Sequence, residues 1–454
     1  MEPKSNENNS NHNSNNDNNK NNNKNYMLKW VLGMGYWVQG LRCIPWLAVN
    51  YMLKDGLNLD SSTFQILQNS ANLPMVAKPL YGVVSDSLYF FGQHRLPYIA
   101  LGAVLQAISW VAIAILSSSS ISISTMTFYL LLGNLGAALA EVANDAIVAE
   151  ASKQPTSTKK GKASSSGDLQ SFVWMASSLG GVLGNFIGGI ANEKYSPQAM
   201  FLTFGVILAI QLILTISVSE KSLNLPENRS TGGIKQQLAE LAGALRKPEI
   251  FYPIAWLSAS YALIPVLTGT MFFYQTQALG IDSSIIGISK VFGQVGSLLW
   301  SAIYNKSLKS ASPRKVISAI QVTMAVFMVS DVLFVNNFYR QMGIPDSVYV
   351  VVFSGLLEVL FFFKILPFSV LIAQLCPAGC EGSLMAFVMS AISLAMIVGG
   401  YLGVALASFV GITGSDFSGL PRGLLIQAAC TVIPLLCSSW IPDHIKPKST
   451  KKDS

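Results

Sequence analysis

Glu141 and Asp145 stand four residues apart in "ALAEVANDAIVAE", so a helix sets both carboxyl groups on one face with Asn144 beside them. Two neighbouring carboxylates in a poorly hydrated place resist double ionisation, and one of them is then suited to take up and return a proton. The runs around Arg42, Lys78, Lys290, Asp331, Glu358 and Lys364 are as apolar as the run around this pair. A charge near the centre of a bilayer costs at least about 2.5 to 3.5 kcal/mol, so each of these residues needs a partner, water or a solute. The bland alternative is an ion pair that only locks helices, Arg42 with Glu141 or Asp145. Lys290 with Asp331 is expected to be such a structural pair. Glu358 and Lys364 are six apart, off a common helix face, and are not expected to meet.

The elements that carry these charges are membrane crossings. Hydrophobic residues make up 51% of the 454 positions and charged residues 12%, and the mean hydropathy is +0.44, well outside the range of soluble domains. Twelve apolar runs are long enough to cross about 30 Å of hydrocarbon as helices. They cover 30–53, 61–83, 97–117, 126–150, 169–191 and 198–218, then 250–277, 283–305, 316–336, 347–375, 382–410 and 420–441. The runs are continuously apolar, whereas membrane strands would alternate in polarity over about ten residues. The expected fold is an all-α membrane protein, twelve transmembrane helices in two six-helix halves.

Lys and Arg set the orientation. With the N-terminus inside, 22 basic residues fall on that side and four, Lys54, Lys194, Arg340 and Arg422, on the other, so both termini are expected inside. Residues 1–28 read as a disordered tail, since the first 25 contain 13 Asn and almost nothing apolar. The tail's acidic residues and lack of Arg are unlike an organellar transit peptide, and no secretory signal precedes the first crossing. Residues 29–218 form the first half, 219–249 a linker with a short surface helix expected near "IKQQLAELAGALRK", 250–442 the second half and 443–454 a basic tail.

Several function classes drop out. The five cysteines form neither a CxxC pair nor an even disulfide set, and the three histidines lie in or near tails and joints, so no metal or other cofactor is expected. There is no GxxxxGK[ST] phosphate loop for an ATPase motor, and no nucleophile, base and orienting group at a recognisable enzyme spacing. The net charge of +7 reflects lysines that flank crossings on one side and attract anionic lipid head groups, not nucleic acid. No protein partner is indicated.

The two halves look duplicated. An offset of 215 residues aligns Leu169 with Leu384, Phe172 with Phe387, Val173 with Val388, Gly184 with Gly399 and Gly188 with Gly403. Glycines four apart give smooth helix faces for close packing. Two parallel, pseudo-symmetric halves are the architecture of major facilitator transporters, with a substrate site near the midplane between them. In "LPMVAKPLYGVVSDS" Lys78 is expected to snorkel towards the inner interface, Pro79 to end or kink the second crossing, Gly82 to allow close packing and Asp86 to enter the inner joint.

The stretch "GVVSDSLYFFGQHRLPY" resembles the signature of that joint in the major facilitator superfamily, and the resemblance implies a gating role for Lys78, Gly82 and Asp86, with Asp86 engaging the start of the eleventh crossing. "KPLYGVVSDS", "HRLPYIALG", "NDAIVAEASK", "DLQSFVW" and "LIAQLCPAGCEGSLMAFVMS" resemble the folate-biopterin transporter family across both halves. The joint before the third crossing departs from the family in carrying one Arg where members often have several basic residues. The resemblance implies a secondary active transporter of folate, pterin or a related organic anion, with the first, fourth, seventh and tenth crossings lining the cavity. Arg42 and Lys364 would then attract the anion, Glu141, Asp145 or Glu358 would exchange protons, and Trp46 and Tyr51 would offer ring faces to a flat pterin. A plastid envelope location is also implied. The competing readings are a transporter of another small solute and a membrane receptor or scaffold that does not transport.

Overall fold

The computed structural model of the protein describes residues 26–90, 92–116, 121–152, 162–223, 234–308, 311–375 and 381–443. The Asn-rich stretch 1–25, residues 444–454, most of the joint after the fourth crossing, and Cys376 and Cys380 lie outside them. Among the described residues the chain is helical apart from two isolated bridges, Phe90 with Gln93 and Thr413 with Asp416. Helices are the expected outcome, because hydrocarbon offers backbone N–H and C=O groups no partner and a helix satisfies them internally.

Nine helices among these residues are long and apolar enough to cross a membrane, and they supply the third to sixth and eighth to twelfth crossings. The first, second and seventh are broken into shorter pieces. The first runs over 26–41, turns at Arg42, resumes as Cys43–Tyr51 and ends in a π-helical turn, Met52–Gly56. The second comprises Ser61–Ala71, Leu73–Val76 and Lys78–Ser87, and the seventh Pro248–Ala262 and Thr268–Phe273 before a second π turn, Tyr274–Ala278. The tenth also breaks, at Lys364, between Gly355–Phe363 and Ile365–Leu375.

Prolines account for these breaks, since each lacks an N–H and crowds the carbonyl four residues back. Pro45 follows the turn at Arg42, Pro74 and Pro79 follow those at Asn72 and Ala77, Pro265 lies in the gap of the seventh crossing and Pro367 follows Lys364. Carbonyls at the breaks find other donors. Trp300 Nε1 reaches the Phe363 carbonyl at 3.2 Å, and Asn134 Nδ2 reaches that of Ala71 at 2.6 Å.

Pseudo-symmetry shows most clearly in two turns. The first and seventh crossings each leave through a π turn and a residue in the left-handed region, Asn58 at φ 51° and Gly280 at φ 63°. Next comes "LDSS" at 59–62 or "IDSS" at 281–284, with Asp60 and Asp282 at the start of the next helix. The turn bonds correspond: Leu59 to the Leu53 carbonyl at 3.1 Å, Ile281 to that of Gln275 at 2.9 Å.

Within the halves the third crossing packs on the fourth and sixth, and the ninth on the twelfth; between them the fifth packs on the eighth and the second on the eleventh. The end nearest residue 26 is called inner here, and the end with the two matched turns outer. Gly184 and Gly188 press on the first crossing, where an added Cβ would lie 3.2 Å from Leu41 Cα and 3.3 Å from Ile44 Cα. Gly403 faces the break in the seventh so tightly that a Cβ would sit 1.9 Å from the Val266 carbonyl oxygen, and Gly399 faces the carbonyls of Tyr261 and Ile264. In the linker, Ile234–Leu245 forms the surface helix, with Ala244 buried against the second half.

Candidate functional site

The break at Arg42 turns its guanidinium towards the fourth crossing. Nη1 donates to Glu141 Oε1 at 2.7 Å and Nη2 to Asn134 Oδ1 at 2.7 Å. Lys78, at its own proline break, donates to the other oxygen of Glu141 at 2.6 Å. The side chain expected to snorkel to the interface thus turns inward, where the second oxygen of Glu141 gives its ammonium the charged partner that an intramembrane lysine needs. One turn further along the fourth crossing, the Tyr36 hydroxyl donates to Asp145. Asp145 remains exposed and lies within Coulombic reach of Lys78 and Glu141. A small cavity of about 20 Å³ beside the network is lined by Gln39, Arg42, Gln106, Glu141, Asn144 and Gln211 among others.

The second half departs from expectation at three residues. Lys290 pairs with Glu358, Nζ to Oε1 at 2.6 Å, instead of with Asp331. The cause is glycine packing: Gly293 of the eighth crossing sits against the Gly355 carbonyl of the tenth, where a Cβ would come within 2.7 Å, and this brings Lys290 onto Glu358. Asp331 is buried behind the tenth crossing and accepts from the Tyr349 hydroxyl at 3.0 Å. Lys364, expected at the substrate, is 0% exposed. Its ammonium donates to Gln321 Oε1 at 2.8 Å, Ser260 Oγ at 3.0 Å and the Ser260 carbonyl at 3.2 Å, and lies 4.1 Å from the centre of the Tyr261 ring. It ties the breaks of the seventh and tenth crossings together.

Lys290 stands one turn from Gly287, which packs so closely on the fifth crossing that an added Cβ would come within 2.8 Å of Gly189 Cα. Cys43, on the first crossing, feels the charges of Arg42, Lys290 and Glu358 together. The structure therefore gathers Arg42, Lys78, Glu141, Asp145, Lys290 and Glu358 in the middle of the bundle and leaves Lys364 out. Trp46 and Tyr51 lie elsewhere: Trp46 meets Trp110 edge-on at 6.3 Å in an apolar cluster of the first half. Tyr51 packs edge-on against Phe272 and lines an outer pocket of about 560 Å³ with Lys54, Asp55, Glu193 and Asp282.

Asp86 belongs to a network at the inner end. Arg95 binds Asp86 through Nη2 at 2.5 Å, Glu150 through Nη2 and Nε at 2.6 and 3.0 Å, and Ser85 through Nη1 at 2.7 Å. His94 stands between Glu150 and Glu220, with Nδ1 2.9 Å from Glu220 Oε1. Glu220 also accepts the backbone N–H groups of His94 and Arg95, which anchors the start of the linker to the joint after the second crossing. Partial burial opposes a charge on His94, but the hydrogen bonds to Glu150 and Glu220 outweigh it and lift the imidazole to about 9. Burial likewise opposes the Glu220 charge, and its bonds to His94 and the two amides hold it below the usual carboxylate range. The start of the eleventh crossing, which the resemblance would pair with Asp86, lies partly outside the described residues. Gly82 lies close to Val142 of the fourth crossing.

One residue absent from the sequence reading bridges the halves at the outer end. Gln65 of the second crossing donates to the carbonyls of Val266 and Gly400 at 2.7 and 2.6 Å and accepts from Gly269 N at 2.8 Å. Beside it Phe64 stacks on Phe272 and meets Phe273 edge-on. The available signal was a carboxamide within an apolar run, a group that hydrocarbon forces to find partners.

Sequence comparison decides the family. Residues 39–454 match the BT1 family. A relative in Arabidopsis thaliana, probable folate-biopterin transporter 7, is 62% identical over 94% of this chain and 95% of its own. The chain belongs to the BT1 family, that of the folate-biopterin transporters. Among its other members, the chloroplastic probable folate-biopterin transporter 9 of the same plant is 42% identical over 90% of this chain and 76% of its own. The folate-biopterin transporter of Synechocystis is 26% identical over 92% and 83%. The structure of the nucleoside transporter NupG superposes with a TM-score of 0.67 over 92% of this BT1 chain and 100% of its own, at 15% identity. A D-xylose-proton symporter superposes at 0.66 with 18% identity, so the BT1 chain has the major facilitator fold.

Proposed function

We propose that this protein is a secondary active transporter that carries folate, a pterin or a related organic anion by alternating access, together with a proton. The observation that carries the reading is the sharing of one carboxylate, Glu141, by two cations, Arg42 and Lys78, beside the separately held Asp145. When Asp145 is ionised this set of four is neutral. When Asp145 takes a proton the set has one positive charge in excess, which in a medium of low dielectric calls for an anion. Proton and anionic solute are thereby favoured together, and each leaves more readily when the other does. The names of the relatives supply the substrate class, since folates and pterins are what they are named for.

The inner network of Asp86, Arg95, Glu150, His94 and Glu220 serves as one gate and the Gln65 bridge as the other. Lys78 links the gate-bearing second crossing to the Glu141 site. Both termini lie on the inner side, in keeping with the basic residues there, and the membrane is a plastid envelope, in keeping with relatives named chloroplastic. The test is uptake of labelled folate and biopterin by purified protein in vesicles, with and without a pH gradient. Gradient-driven uptake that Asp145→Asn uncouples from pH supports the reading; uptake by Asp145→Asn with an unaltered pH dependence refutes the proton role.

A further inference from the structure

We propose that Lys290 is the specificity-determining contact of the second half, receiving a carboxylate of the solute in exchange for Glu358, so that the site favours carboxylated pterins over uncharged ones. The inference rests on the anion-transport reading above and names the residue and the chemical group that the reading leaves open.

Four observations converge on Lys290. Of the two lysines inside the crossings of the second half, Lys364 is enclosed and has three oxygen acceptors, whereas Lys290 is 29% exposed and has one partner among the described residues. An ammonium has three N–H donors, so two remain for another acceptor. Its partner Glu358 is 50% exposed and uses one oxygen, so it swings aside at little cost in packing. Lys290 also stands one turn from Gly287, which packs on Gly189 of the first half, and Cys43 of the first crossing lies within Coulombic reach of Lys290, Glu358 and Arg42. A solute between the halves thus has a cation on either side, Arg42 from the first crossing and Lys290 from the eighth.

The exchange is like for like. A carboxylate of the solute replaces the carboxylate of Glu358, so Lys290 is never left unpaired. An uncharged solute leaves Lys290 with Glu358, and nothing buried is stranded. Discrimination is therefore moderate, about tenfold to a hundredfold, and not the ten-thousandfold seen where a wrong ligand strands a polar group. Folate, with two carboxylates on its tail, and biopterin, with none, are the pair that reads it.

The experiment is competitive uptake of labelled folate and biopterin into vesicles holding wild-type protein, Lys290→Gln or Lys290→Arg at matched protein content. Lys290→Gln is expected to lower the folate-to-biopterin preference about tenfold or more, and Lys290→Arg, which keeps the charge, to restore most of it. Thermal unfolding midpoints of the purified variants in detergent, matched to wild type, serve as the control for folding. A Lys290→Gln protein with the wild-type preference overturns the inference while leaving the transport reading intact. Wild-type vesicles that accumulate neither compound overturn both.

Discussion

Lys290 and Lys364 are charges of one kind, in apolar runs of the same half, and they end in opposite circumstances. Among the described residues Lys364 has no carboxylate partner; a carbonyl, a hydroxyl, a carboxamide and an aromatic face replace its water, and it is wholly enclosed. Lys290 has a carboxylate and stays accessible. A lysine surrounded by neutral acceptors from two other crossings is a fastener, because any displacement strands both it and them. A lysine in an accessible ion pair is exchangeable, because another anion satisfies it equally well. The same contrast separates Glu141, gripped by two cations, from Glu358, held by one.

The comparison breaks most visibly at Lys364. Lys364→Ala should destabilise the protein by about 3 to 5 kcal/mol, since it empties a packed volume and leaves Gln321 Oε1 without its donor; a thermal unfolding midpoint in detergent equal to wild type would make Lys364 no fastener. Glu141→Gln comes next, with an expected loss of about 3 kcal/mol from two cations deprived of their shared charge, together with loss of uptake. Gln65→Leu should cost about 1 to 3 kcal/mol by stranding two carbonyls and an amide. It should also let spin labels on the exposed turn residues Asn58 and Gly280 move apart, and an unchanged distance distribution would remove Gln65 from the outer gate.

The inner joint adds a dependence on pH. His94 has a folded value near 9 against about 6.5 unfolded, so its stabilisation is complete below pH 6.5 and is lost as pH rises through 9. Glu220 is depressed, so its contribution is present above its unfolded value and disappears in acid as pH falls through the folded one. His94→Gln should therefore narrow the stability gap to wild type as pH climbs from 6.5 to 9, by about 1 to 3 kcal/mol in all; a constant gap across that window would show that the imidazole carries no charge there. The smallest effect belongs to Lys290→Ala, whose accessible ion pair should change stability by less than about 1 kcal/mol while solute preference changes.

Much of this was legible beforehand. Apolar runs about 20 residues long announce membrane-crossing helices without reference to any contact, because hydrocarbon thickness and backbone hydrogen bonding admit few solutions. Arg42, Glu141 and Asp145 were legible as well, since charge in such a run is expensive. The partners were not. Asp331 looked as eligible for Lys290 as Glu358 did, and only the approach of Gly293 to Gly355 settles the matter. Lys78 looked interfacial until its proline break turned it towards Glu141.

The sequence by itself thus determined a helical membrane protein of two related halves with a handful of costly intramembrane charges, because those properties follow from hydropathy summed along the chain. Which charges face the gap, which are sealed away, and that Gln65 joins second, seventh and eleventh crossings were decided by tertiary structure alone. Those outcomes depend on helix rotation and glycine-sized spacing between segments as many as 335 residues apart, and a local pattern carries no record of either.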